Sequence, residues 1–183
     1  MSQHIQDTSH DDQNRRMLAE ATSAQPKHPS NRLASKERKG GTMSTEVYKQ
    51  VLQTHMEAEN AHRMEETLVT LTPDCLFEDV ALGQVFQGHA GARDYYQTWW
   101  GAFSTTAHPE RVYFTDQDFA VAEVRFQGTH TGSFLGIEPT GRQVDIPTAI
   151  FVTFRDGLMA GERMYWDVAT LLRQIGIPSL PTM

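Results

Sequence analysis

The chain has 183 residues and carries 16 Lys or Arg against 23 Asp or Glu, which gives a formal net charge of −7 at pH 7. Residues 1–42 hold seven basic and five acidic side chains, so the rest of the chain holds nine basic and eighteen acidic ones. This acidic balance repels phosphate backbones and anionic lipids, so we expect no nucleic-acid partner, no membrane association, and a neutral or hydrophobic small-molecule ligand.

Residues 1–42 form a tail ahead of the predicted domain. They contain no aromatic residue and are rich in polar and charged side chains, so they bury too little apolar surface to offset the entropy of ordering. They lack the apolar segment of a signal peptide, and the chain contains no apolar run of membrane-spanning length. We therefore predict a disordered tail over 1–42 and one folded domain over 43–183.

The rest of the chain predicts helices first and strands afterwards. Apolar residues at helical spacing follow Ser44, a candidate N-cap, and predict a helix over 44–71 with a break near 63–65 that separates a second, short helix. Alternating residues bounded by Gly-rich turns predict strands. The later elements are expected as a strand at 75–80, a brief strand within 82–88, an aromatic-rich helix at 91–103, strands at 110–116, 119–129, 142–154 and 158–166, and a helix at 168–175.

This segregated order predicts an α+β fold, in which helices cover one face of the sheet and curvature leaves a pocket. The last third of the chain contains, in order, the motifs Gly128–Phe134, Pro139–Arg142, Phe154–Gly157, Glu162–Asp167 and Leu171–Gly176. They resemble the SnoaL-like polyketide cyclases of the nuclear-transport-factor-2-like superfamily, over residues 43–178. The resemblance implies a cone, with a curved antiparallel sheet and helices packed on its concave side.

Cys75 is the one cysteine of the chain. A single thiol excludes an internal disulfide and a multi-cysteine metal site, and it fits a reducing, cytoplasmic location. Its place at the start of a predicted strand favours a small buried hydrophobe over a nucleophile.

Asp79 is the first candidate catalytic residue. The segment Phe77–Asp79 followed by Gly83 resembles ketosteroid isomerases of the same superfamily, in which a carboxylate at this place shuttles a proton beside a carbonyl. The same resemblance places His55 where those enzymes hold the tyrosine that donates to the oxyanion, and a histidine is also able to donate to an enolate. The alternative for Asp79 is a solvated loop carboxylate.

Two positions depart from the catalytic residues of these relatives. Ile150 stands where the cyclases have a histidine and the isomerases a second acid. Met164 stands where the cyclases have their acid/base aspartate and the limonene-epoxide hydrolases one of their aspartates, and a thioether does not move protons. The known arrangements for aldol cyclisation and epoxide opening are therefore put in doubt.

His130 and Asp167 each have a structural alternative to catalysis. His130 lies in Gly128–Gly132, which is typical of the family, and is the third candidate catalytic residue unless its imidazole only bonds the turn backbone. Asp167 directly precedes the terminal helix, so we predict that it caps the free amides there.

Aromatic residues are expected to form much of the pocket wall, although an aromatic stripe at helical spacing is also typical of a core. Trp166 shares the strand parity of Met164 and should face the cavity. The residues predicted to bind the ligand are Tyr96, Trp99, Phe126, Ile150, Met164 and Trp166.

His55, Glu59 and His62 lie at i, i+4 and i+7 of the first helix. Glu59 and His62 have the Glu-x-x-His spacing of di-iron bundles, but such sites need a second copy on another helix and the chain contains none. We therefore predict no metal and no cofactor.

Two functions remain open. The first is a cofactor-free enzyme of cyclase, isomerase or lyase type, which transfers a proton on a hydrophobic carbonyl or polyketide-like small molecule, with Asp79 as base and His55 or His130 as polar partner. The second is a non-catalytic small-molecule-binding or dimerisation module of the same fold, which Met164 and Ile150 favour.

The uncovered face of the sheet predicts self-association. Helices are expected on one side only, which leaves the other face to a second subunit. Val121, Phe151 and Tyr165 have the parity that points to this face, so we predict a homodimer.

Overall fold

The computed structural model describes residues 45–115 and 117–177. The predicted tail and its boundary with the domain lie outside these residues. The described part contains four helices and six strands. The helices are α1 (Thr45–Asn60), α2 (Met64–Leu68), α3 (Gly88–Ala102) and α4 (Val168–Ile175). The strands are β1 (Leu71–Asp79), β2 (Gln84–Gln87), β3 (Thr106–Phe114), β4 (Phe119–Thr129), β5 (Gln143–Arg155) and β6 (Leu158–Trp166).

The first helical segment ends where the sequence suggested a break. Tyr48, Leu52 and His55 are buried at helical spacing on α1, and His62 takes a left-handed backbone conformation with φ of 52° just after its end. The second helix is shorter than predicted and β1 begins earlier, because Leu71 pairs with Met159 of β6. Pairing with a neighbouring strand overrides local propensity here.

The six strands form one curved sheet in the order β2-β1-β6-β5-β4-β3. Neighbouring strands are antiparallel except β1 and β6, which are parallel, so the sheet is mixed. β3 begins at Thr106, ahead of the predicted strand, and its register shifts between Pro109 and Arg111. A proline is tolerated at such an irregularity on an edge strand.

Helices α1 and α3 pack against the concave face, as the α+β prediction requires. Buried residues alternate along β5. Phe154 of β5 stacks on Tyr48 of α1, and Phe77 of β1 packs edge-on against Tyr96 of α3, within one core cluster. A second cluster, beneath α4, contains Phe103, Phe134, Leu171 and Ile175. Residues of both clusters line the cavity described below. None of the described helices has the length and apolar character needed to cross a membrane.

Candidate active site

A cavity lies between α1, α3 and the concave face of the sheet. It holds about 580 Å³ of unfilled space, a figure that includes open solvent at its mouth. It is lined by Glu59, Asn60, Tyr95, Tyr96, Trp99, Trp100, Thr105, Ala107, Phe126, Ile146, Thr148, Met164 and Trp166.

The end of α1 is fixed at the cavity by Asn60. Its side-chain nitrogen donates to the Ala107 carbonyl at 3.0 Å, and its side-chain oxygen accepts from the Ala107 amide at 2.6 Å. These paired bonds join the last residue of α1 to edge strand β3. Glu59, the preceding residue, is thereby held in the cavity wall.

Glu59 and Glu162 converge on one histidine. The Nε2 atom of His55 lies 3.9 Å from a carboxyl oxygen of each, and the Glu162 side chain is only 9% exposed. Burial raises the pKa of Glu59 to about 7. Burial, together with repulsion from the nearby Glu59 carboxylate, raises the pKa of Glu162 to about 8. Such a pair holds a proton near neutral pH, where an ordinary glutamate is ionised.

His55 is a neutral hydrogen-bond acceptor toward the cavity wall. Burial lowers its pKa to about 4. Thr70 donates its hydroxyl proton to the Thr67 carbonyl, so the Thr70 oxygen accepts from Nδ1 of His55 at 2.6 Å. The proton therefore sits on Nδ1, and Nε2 accepts from the Tyr96 hydroxyl at 2.9 Å. His55 reaches the cavity through Tyr96.

Tyr95 supplies a second hydroxyl to the wall. It donates to the Met164 sulfur at 2.9 Å, and a thioether is a weak acceptor. Burial raises the pKa of Tyr95 well above its usual value, so the phenol keeps its proton. This donor can turn to a ligand oxygen at small cost.

Asp79 is buried, not solvated. One carboxyl oxygen accepts from the Leu82 amide and from Nε1 of Trp166, both at 3.0 Å. Its other oxygen has no hydrogen-bond partner among the described residues. Burial raises the pKa of Asp79. The carboxyl lies behind Trp166 and is not among the residues lining the cavity.

His130 does not line the cavity and lies beside the second core cluster. Its ring packs against Phe103 with centroids 5.0 Å apart, and Nδ1 accepts from the Thr140 amide at 3.3 Å. Close packing explains the flanking glycines. A Cβ atom on Gly128 would collide with the backbone of Ser104, and one on Gly132 would collide with the backbone of Gly101. The motif therefore acts here as a close backbone junction after α3, with the histidine bonded to the turn.

The predicted ligand-binding residues are mostly brought together. Tyr96, Trp99, Phe126, Met164 and Trp166 line the cavity. Ile150 is buried in the main core and is not part of the lining.

Glu59 and Glu162 were missed as candidate acids. Glu59 entered the sequence analysis only through a metal spacing, although its position one turn after His55 placed it on the same helix face. Glu162 shares the strand parity of Met164 and Trp166, and that alternation was the available signal.

The metal spacing on α1 does not form a site. The His62 ring stacks on Trp100 with centroids 4.8 Å apart, and its Nε2 lies 3.2 Å from the Thr105 carbonyl oxygen. Within the described ranges, no group of three or more His, Cys, Asp or Glu side chains is placed to hold a metal ion. Cys75 is fully buried, and burial raises its thiol pKa to about 11, as expected for an inert thiol.

Comparison with known proteins places this geometry in a family. The model of the SnoaL-like polyketide cyclase family matches residues 49–175. Similar solved structures include that of a SnoaL-like protein of Jannaschia sp. CCS1 (25% identity, 76% of this chain and 99% of that chain covered, TM-score 0.66). TsrD of Streptomyces laurentii is also similar (23% identity, 74% and 99% covered, TM-score 0.66).

A third similar structure is a hypothetical protein of Catenulispora acidiphila with a ketosteroid isomerase-like fold, in complex with trimethylamine (15% identity, 70% and 94% covered, TM-score 0.62). The likenesses below 25% identity show the fold alone. No curated protein matches the chain.

Proposed function

Because the chain belongs to the SnoaL-like polyketide cyclase family, we propose that it is a cofactor-free enzyme of cyclase or isomerase type. Its substrate is an apolar small molecule with a carbonyl group, and its reaction begins with removal of a proton beside that carbonyl. The observation that carries this proposal is Glu59, a partly buried carboxyl with a raised pKa in the wall of an aromatic cavity.

The residues have complementary roles in this reaction. The Glu59 carboxylate accepts the proton from the substrate carbon, and the resulting enolate oxygen accepts a hydrogen bond from Tyr95. Donation to an enolate is strong in a cavity that excludes water. The neutral His55 fixes the Tyr96 hydroxyl, so that the wall beside Glu59 is rigid.

Asp79 remains the second candidate base, because it is a buried carboxyl bonded to a lining tryptophan. The alternative function, a non-catalytic binding module, is favoured by the apolar side chains at Ile150 and Met164. We also propose a homodimer that forms through the outer face of the sheet. A cytoplasmic location is the last proposal, and the single buried cysteine supports it.

Exchange of α-protons tests the reaction without knowledge of the natural substrate. We expect the protein to accelerate deuterium incorporation into an apolar ketone such as 2-tetralone in D2O, followed by NMR. Glu59→Gln should lower this acceleration by roughly a hundredfold or more, the range of a lost general base. Glu57→Gln, on the exposed side of the same helix, is the matched control.

Asp79→Asn separates the two candidate bases. Loss of exchange in Asp79→Asn with retention in Glu59→Gln would assign the base to Asp79. Exchange within threefold of the wild type in Asp79→Asn would remove Asp79 from that role. Absence of acceleration across a panel of apolar ketones that bind would support the binding module.

A further inference from the structure

Two carboxyl groups with no cationic partner lie at the cavity: Glu59, which is 18% exposed and lines it, and the more deeply buried Glu162 beside Glu59. Among the described residues, neither Glu59 nor Glu162 forms an ion pair with a lysine or arginine, and neither accepts a hydrogen bond from another side chain or from an amide. The neighbouring His55 is neutral because burial holds its pKa near 4. A buried carboxylate without a counter-charge is unfavourable. The site therefore favours either a bound proton or a bound cation.

The position of Glu59 adds to this preference. It is the penultimate residue of α1, and the carbonyl end of a helix carries partial negative charge that attracts cations. Glu162 lies behind it on the same face of β6 as Met164 and Trp166, and is more than nine-tenths buried. When Glu59 is ionised, its charge and that of the helix end both favour a cation in this part of the cavity.

The walls are suited to an organic cation. Six of the thirteen described lining residues are aromatic. Among all thirteen, Glu59 is the only acidic residue, and none is a lysine, an arginine or a histidine. The aromatic members are Tyr95, Tyr96, Trp99, Trp100, Phe126 and Trp166. The faces of these rings attract an ammonium group, most strongly where water is excluded. A metal ion would need converging ligands, which the described residues do not offer here.

We propose that the ligand of this cavity carries a cationic amine nitrogen, which lies against the aromatic walls with Glu59 as its counter-ion and Glu162 behind. This inference rests on the proposed function for the reacting carbonyl group. It narrows the substrate class to carbonyl compounds whose apolar body also bears an amine. A bound cation also favours the ionised form of Glu59, which is the form that accepts a proton.

A pair of isosteric probes tests the charge requirement. Benzyltrimethylammonium and neopentylbenzene have the same shape and differ by nitrogen against carbon. All three tryptophans of the chain line the cavity, so their fluorescence reports binding to the full chain. We expect the cation to bind at least tenfold more tightly. Glu59→Gln should remove most of this difference, and Glu57→Gln should leave it unchanged.

Proton release provides a second readout that needs no variant. A cation that favours the ionised form of Glu59 displaces a proton, so calorimetry in buffers of different ionisation enthalpy should detect release at pH 7. The affinity for the cation should rise from pH 6 to pH 8, while that for neopentylbenzene should not. Equal affinity of the two probes, or cation binding with no proton release and no pH dependence, would overturn the proposal.

The two proposals fail separately. Ketone exchange that depends on Glu59, together with equal affinity for the two probes, would retain the reaction and reject the amine. Selective binding of the cation without ketone exchange would retain the amine and reject the reaction.

Discussion

Burial sets the protonation of the titratable side chains around the cavity. The pKa values of Glu59 and Glu162 are raised, that of His55 is lowered, and those of Tyr95 and Tyr96 are raised, with desolvation as the largest cause in every case. All five shifts favour the uncharged form, as expected where water is excluded. The two carboxyls therefore retain their protons at a higher pH than ordinary glutamates do.

These shifts predict that stability falls as the pH rises from 6.5 to 8. In the folded protein these carboxyls bind protons more tightly than the ordinary pKa of 4.5 would allow. The free energy of unfolding therefore decreases as rising pH removes those protons. The opposite effect of His55 lies between about pH 4 and its ordinary 6.5, below this window. The free energy of unfolding should fall by roughly 1 kcal/mol per pH unit for one such proton.

Chemical denaturation at several pH values measures this slope. Glu59→Gln should make the slope shallower between pH 6.5 and 8, because the amide does not ionise and Glu162 alone is left to titrate, whereas Glu57→Gln should keep the slope. An unchanged slope in Glu59→Gln would show that its carboxyl is ionised in the folded protein throughout this window.

At the scale of the element, α4 shows how a local signal and tertiary packing combine. Asp167 accepts from the Ala169 amide at 2.9 Å, which confirms the predicted N-cap, and Gly176 ends the helix in a left-handed conformation. Leu171 and Ile175 bury the inner side of the helix in the second cluster. The cap accounts for Asp167 without a catalytic role.

Asp167→Ala should therefore lower the free energy of unfolding by about 1 kcal/mol, the usual cost of losing an N-cap. Asp167→Asn should be close to the wild type, because asparagine caps equally well. Thermal melts with ketone exchange measured in parallel check this. A loss of exchange in a normally stable Asp167→Asn would instead indicate a chemical role for the carboxylate.

At the scale of the whole molecule, the outer face of the sheet is partly apolar. Phe151 and Tyr165 are exposed, with ring centroids 5.5 Å apart, and Phe119 lies 6.0 Å from Phe151. Val121 pairs with Phe151 across neighbouring strands and is half-buried. These side chains lie where the strand parity predicted them, opposite the helices.

Sedimentation tests the predicted homodimer. The full chain should sediment as a dimer at micromolar concentration, and Phe151→Glu combined with Tyr165→Glu should yield a folded monomer. Val85→Glu, at an exposed apolar residue of edge strand β2, should leave the dimer intact. A monomeric wild type would contradict the prediction.

Removal of residues 1–42 should leave the domain unchanged. This prediction rests on their composition, since they lie outside the described residues. A chain that starts at Met43 should melt within about 2 °C of the full chain, a change well below 1 kcal/mol. Limited proteolysis should leave a core that begins near Met43, and a melting temperature lowered by several degrees would contradict the prediction.

The sequence determined the order of helices and strands, the α+β class, the family and the cap at Asp167. These depend on signals that act over a few residues, such as periodicity, turn glycines and capping side chains. Signals of this kind placed several aromatic residues in the cavity wall. They misjudged the ends of β1 and β3, where pairing with neighbouring strands decides.

Only the tertiary structure decided which titratable groups meet at the cavity wall and directly behind it. Glu59 and Glu162 lie far apart in the chain and meet because α1 packs across β6. His130, in a motif typical of the family, packs on Phe103 and bonds the turn at Thr140. The raised pKa values follow from the exclusion of water by side chains on other elements. Desolvation depends on the whole packed assembly, so no local pattern of residues specifies it.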